Sequence, residues 1–170
     1  MKNGGMEADV SLAMLPLEIR SGIASSVKLV PCQADEATLE FLRFAKLALF
    51  APPQDSHPER FIPVTPVIDQ IWHFCILQTR EYASLCETLR SGHFLHHRTF
   101  LYDRHLEAVP EVERLHQEDL SWIASYVDSY GTFTDTTVAY WRIPLLLMKE
   151  LSWTVSDVNA FGRELVLKAT

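Results

Sequence analysis

Asp69 and His73 stand four residues apart in the run Pro66-Val67-Ile68-Asp69-Gln70-Ile71-Trp72-His73. On a helix this spacing projects both side chains from one side, one turn apart, so the carboxylate is within reach of the imidazole. A carboxylate that holds one ring nitrogen fixes the tautomer and leaves the other nitrogen to act as a general base or a metal ligand. The same pair also has a purely structural use. Ile76 and Leu77 flank it, and in an apolar surround the two groups would satisfy each other as a buried link that orders the interior. A third arrangement leaves both exposed on a rim.

A second set of nitrogen donors, His93, His96 and His97, closes the same stretch. His93 and His97 share a face whether the backbone there is helical or extended, and in the extended case His96 opposes them. Imidazoles so spaced suit zinc, iron, nickel or copper, and a histidine-rich turn can equally be solvated or cap a helix. The chain reverses near Thr79 and again near Gly92, which brings His73 within reach of His96 or His97. Cys86 lies between the two clusters. The expected metal set is therefore His73, His96, His97 and Cys86, with a divalent transition metal as the cofactor. Cys75 and Cys86 also sit in apolar runs, where unpaired cysteine is most often a small core residue.

The elements that must position these groups follow from apolar periodicity. A first helix begins near Pro16 and carries Leu17, Ile19, Ile23, Val27 and Val30; a second, capped by Asp35, carries Leu39, Phe41, Leu42, Phe44, Ala45, Ala48 and Leu49 and stops at Pro52-Pro53. Five prolines between Ala51 and Pro66 dictate an extended crossing loop. Thr65 and Pro66 open a third helix as N-cap and first-turn residue. It is apolar nearly all round, which marks a central, buried element with Trp72 in the core. A fourth helix from Thr79 buries Tyr82, Leu85, Cys86 and Leu89 and closes at Ser91-Gly92. Glu111 to Tyr130 is helical with Gly131 as its stop, a shorter helix covers Asp135 to Trp141, Pro144 interrupts the pattern, and a last helix starts near Ser156. No β-alternation is sustained. The expected fold is all-α: a frayed segment 1–10, then residues 11–170 as a single-domain orthogonal helical bundle, with a short hairpin near 93–102 as the main exception.

Composition narrows the function classes. At 170 residues the chain has one domain's length by the usual range of roughly 100–200. The net charge of −7 and the scattered Lys and Arg exclude a nucleic-acid footprint. No apolar stretch approaches the roughly 18 residues needed to cross a bilayer, so no membrane partner is expected. Three irregularly spaced cysteines, no C-x-x-C and no secretory h-region indicate a reducing cytoplasm. Gly-rich phosphate loops, G-x-S-x-G and H-E-x-x-H are all missing, which disfavours P-loop phosphoryl transfer, dinucleotide redox chemistry and α/β serine hydrolysis.

The stretch from Ile68 to His97 resembles the glycine-rich domain-containing protein-like family, and the chain is similar in size to its small bacterial members. The resemblance rests on Ile68-Asp69-Gln70-Ile71-Trp72-His73, Leu77, Tyr82, Cys86, Gly92 and Phe94-Leu95-His96-His97. Weaker similarity extends it to about residues 35–135. The chain departs from the family's pattern at Ile68, where Val is usual, at Cys75, where many members carry a second His, and at Arg98, where Pro often follows the His pair. The family brings no activity with it. Tyr82, inside this motif, joins His73 and Asp69 as a candidate catalytic residue.

Two functions fit these residues. One is a small cytosolic enzyme acting on a small molecule, with His73 as general base or metal ligand and Asp69 orienting it. The other is a protein-interaction module in which the same residues form a buried structural network.

Overall fold

The computed structural model describes residues 10–51, 63–97, 115 and 117–169. Among them are seven α-helices, two short 3₁₀ turns and no strand beyond one isolated bridge pair, so the protein is all-α as its periodicity requires. Residues 1–9 of the frayed segment, 52–62 of the proline loop, 98–102 of the expected hairpin, and 111–114 and 116 of the expected fifth helix lie outside the described residues. The chain divides into two compact units.

The first unit takes residues 10–51 and 66–96. A 3₁₀ turn at Leu12–Met14 leads into α1 (Leu17–Val27), α2 (Pro31–Phe50), α3 (Pro66–Leu77) and α4 (Thr79–Leu89). Helix α1 follows Pro16 and ends where Lys28 turns left-handed, which leaves Val30 outside the helix and exposed. Helix α2 starts four residues before Asp35. Pro31 occupies its first turn, where the missing N–H is one that has no helical partner anyway.

The centre of this unit is shared by α3, which packs against α1, α2 and α4, and by α2. Helix α2 packs against α1, α3, α4 and the 3₁₀ turn, and buries Glu40, Thr38 and Lys46 along with its apolar residues. Glu40 is matched by the Arg43 guanidinium at 2.6 Å. Helix α3 begins at Pro66, but the Thr65 hydroxyl is directed to the Tyr140 carbonyl at 3.3 Å. A single residue, Gln78, separates α3 from α4, and α4 buries the expected stripe of Tyr82, Leu85, Cys86 and Leu89. Beyond α4, Gly92 adopts φ +72°, and residues 93–97 run on without regular structure.

The second unit holds 63–65 and the described residues from 97 to 169. Its elements are α5 (Gln117–Tyr130), a 3₁₀ turn (Thr137–Tyr140), α6 (Arg142–Leu151) and α7 (Val155–Ala169). Helix α5 packs on α6 and α7. Tyr126 stacks on Phe133 with ring centroids 3.9 Å apart, and Trp141 meets Tyr126 edge-on at 5.1 Å. The expected helix at 135–141 is a 3₁₀ turn. Pro144 does not interrupt α6; it lies in its first turn, where proline costs no hydrogen bond, and is buried. No helix of the described residues is long and apolar enough to cross a membrane.

Candidate metal centre

Helix α3 sorts its residues onto two faces. Ile68, Ile71, Trp72 and Cys75 recur at i, i+3, i+4 and i+7 and are buried. Trp72 meets Phe44 of α2 edge-on at 5.1 Å, so its expected place in the core holds. Asp69 and His73 lie on the other side, and their side chains are 34% and 53% exposed. They are therefore not a buried network. Helices α1, α2 and α4 pack on α3 and leave one stripe of it exposed, Pro66, Gln70, His73 and Leu77, the last of them 77% exposed.

His73 Nδ1 donates to the Asp69 main-chain carbonyl at 2.8 Å and stands 3.3 Å from Asp69 Oδ2. A carbonyl only accepts, so the ring proton is on Nδ1 and, in the neutral imidazole, the lone pair is on Nε2. Asp69 thus orients the ring, as its spacing suggested, and it does so with its backbone oxygen as well as its carboxylate. A metal taken at Nε2 would leave that bond in place, and one taken at Nδ1 would displace its proton.

His97 completes a group with this pair. It is joined directly to His96 at the point where the chain leaves the first unit. One ligand atom from each of Asp69, His73 and His97 falls within 4.8 Å of the other two. Tetrahedral ligands at about 2.0–2.2 Å from a zinc ion lie about 3.3–3.6 Å from one another, closer together than the 4.8 Å within which these three atoms fall. Asp69 and His97 are half-buried and His73 is exposed, which keeps the donors open to solvent on one side.

The remaining sequence candidates are placed differently. His96 is exposed, with its ring 4.9 Å from that of Phe94, and is not part of the three-residue group. His93 Nδ1 donates to the Ser91 carbonyl at 2.9 Å. Cys86 is buried against Tyr82 and also lies outside the group. Cys75 is buried in the core, where desolvation pushes its thiol up to about 12, so it is a neutral packing residue.

Tyr82 is buried, and its hydroxyl is engaged on both sides. It accepts the Trp72 indole N–H at 2.8 Å and donates to the Leu95 carbonyl at 2.6 Å. Burial pushes the phenol above its ordinary value, with the Trp72 hydrogen bond opposing. Tyr82, expected among the catalytic residues, thus stands in the interior with its hydroxyl bonded to Trp72 and Leu95, and it is not part of the three-residue group.

Two features were not anticipated from the sequence. One is this Trp72–Tyr82–Leu95 link. The other is the Arg90 guanidinium, which donates to the Leu49 carbonyl at the end of α2 and lies 4.7 Å over the Phe50 ring. The second had a signal: a lone arginine one residue past a helix end is well placed to satisfy another helix's last carbonyls. No protein-family model, curated protein or solved structure matches the chain.

Proposed function

We propose that the protein binds one divalent transition metal through Asp69, His73 and His97 and acts through it on a small molecule. The observation that carries this reading is the convergence of two imidazoles and one carboxylate from two separate segments within 4.8 Å. Two histidines and a carboxylate make a three-ligand set, the number that leaves coordination positions for water and substrate, whereas structural zinc sites are closed by four. A metal held there would supply Lewis acidity toward a carbonyl or phosphoryl oxygen. The chain's own part is to orient the His73 ring through Asp69 and to hold His97 opposite. The resemblance to the glycine-rich domain-containing protein-like family supports treating these residues as one motif, since Asp69, His73 and His97 all belong to it. Three cysteines without a disulfide favour a reducing cytoplasm as the place of action.

The test is metal analysis of protein purified without a polyhistidine tag, with Asp69→Asn and His73→Gln in the same series. Both substitutions keep shape. An exposed pair contributes only about 0–1 kcal/mol to stability, so both melting midpoints should stay near that of the wild type while metal content falls. Loss of stability with metal content unchanged would refute the reading.

A further inference from the structure

His97 stands on a segment without helix or strand, yet a metal centre needs it at a fixed distance from Asp69 and His73 on α3. The segment is tied back to α4 in steps. Glu87, whose carboxyl is held below its ordinary value by the Ser91 hydroxyl and the Gly92 amide, accepts both, at 2.5 and 2.8 Å. The Phe94 ring meets Tyr82 edge-on at 5.3 Å. Two residues before His97, the Leu95 carbonyl accepts the Tyr82 hydroxyl at 2.6 Å.

We propose that Tyr82 is the positioning residue of the metal centre, its hydroxyl setting the distance between the helix that carries Asp69 and His73 and the segment that carries His97. The inference rests on the metal-binding reading above. The direction of each bond is forced. An indole nitrogen only donates and a carbonyl only accepts, so the group between them must accept on one side and donate on the other. A hydroxyl does both. Trp72 immediately precedes His73, so the chain of bonds Trp72 N–H, Tyr82 O–H, Leu95 C=O runs from the residue beside one ligand to within two residues of another.

Packing alone does not call for that oxygen. A phenylalanine ring would fill the same place beside Cys86 and Phe94, and would leave the Trp72 nitrogen and the Leu95 carbonyl without this partner. Hydrogen-bonded groups that orient metal ligands are typically worth about 10- to 100-fold in metal affinity, and the Tyr82 oxygen is expected to act within that range.

The experiment titrates cobalt(II) into the full, tag-free chain and follows the visible absorption, whose position and intensity report coordination number and geometry. Wild type, His97→Ala, Tyr82→Phe and Trp72→Phe are compared. The expected result is tight cobalt binding by the wild type and an altered, weaker spectrum for His97→Ala. Tyr82→Phe should bind about 10- to 100-fold more weakly than the wild type, with a spectrum shifted toward that of His97→Ala. Trp72→Phe, which leaves the Tyr82–Leu95 bond standing, should shift in the same direction by less, and it decides the matter if Tyr82→Phe does not fold. Wild-type affinity and spectrum in Tyr82→Phe, with His97→Ala impaired, would overturn the role of Tyr82 while sparing the metal centre. Failure of the wild type to bind cobalt would remove the centre itself and the inference with it.

Discussion

The segments that follow α4 and α5 are built by the same device and finished differently. A glycine with positive φ follows each helix, Gly131 (+83°) directly after α5 and Gly92 (+72°) three residues after the last residue of α4, a conformation that glycine adopts without a steric penalty. Each following segment is then pinned by one buried polar side chain. Tyr82 holds the Leu95 carbonyl, and Asn159 of α7 holds both the N–H and the C=O of Phe133, at 2.8 and 2.9 Å. After α5 the pinned residue is buried: Phe133 stacks on Tyr126 and closes an aromatic core. After α4 the pinned residue is half-buried, and the segment presents His93, His96 and His97 toward its surface. The same construction seals a core in one place and presents histidine side chains in the other. Pinning by itself therefore does not distinguish the two segments; what the pinned segment carries does.

Substitutions should separate the two uses. Trp72→Ala is expected to have the largest effect, a loss of about 3–5 kcal/mol in chemical denaturation, because it opens a core cavity and removes the donor to Tyr82 together. An effect under about 1 kcal/mol would mean that α3 is not packed as described. Next comes Asn159→Ala, which removes the partner of both the N–H and the C=O of Phe133 and should cost about 2–4 kcal/mol, or about 1–2 kcal/mol per group. Metal content per folded chain should be unchanged in this variant. If Asn159→Ala loses metal as Tyr82→Phe does, the contrast between the two segments collapses.

The smallest effects belong to the start of α7. Asp157 accepts the Thr154 amide and hydroxyl at 2.8 and 2.6 Å, and its own amide returns a bond to the Thr154 oxygen at 3.2 Å, a reciprocal cap. Thr154→Ala should cost about 1 kcal/mol. The bonds from Thr154 lower the Asp157 carboxyl below its ordinary value. Its contribution is then complete above the unfolded aspartate value of about 3.9 and disappears as pH falls through the lowered folded value. Asp157→Asn should flatten the acid limb of the stability profile over that window, and an unchanged limb would show that the cap contributes nothing.

Helix identity was legible wherever the punctuation was strong. Pro66 opened α3, Ser91-Gly92 closed α4 and Gly131 closed α5, because these residues act locally. Asp35 misled, since a cap signal inside a helix looks the same in one dimension as a cap at its start, and Pro31 made the better first turn. Pro144 misled for the opposite reason, because a proline inside the first turn breaks nothing. The exposure of Asp69 and His73 was hidden by the apolar character of Ile76 and Leu77, which implied a cover, whereas Leu77 is itself 77% exposed. The approach of His97 to His73 could be read from the two chain reversals. The Tyr82 link could not, since it joins a residue on α3 to a residue on α4 and ends on a backbone carbonyl, which carries no residue type.

The central claim is that Asp69, His73 and His97 share one metal ion. Anomalous diffraction at the zinc edge, from crystals grown with one equivalent of zinc, tests it most directly. The account predicts a single strong peak about 2.0–2.2 Å from a carboxylate oxygen of Asp69 and from one ring nitrogen each of His73 and His97. A peak coordinated elsewhere, or none in crystals of protein carrying one zinc per chain, would contradict it.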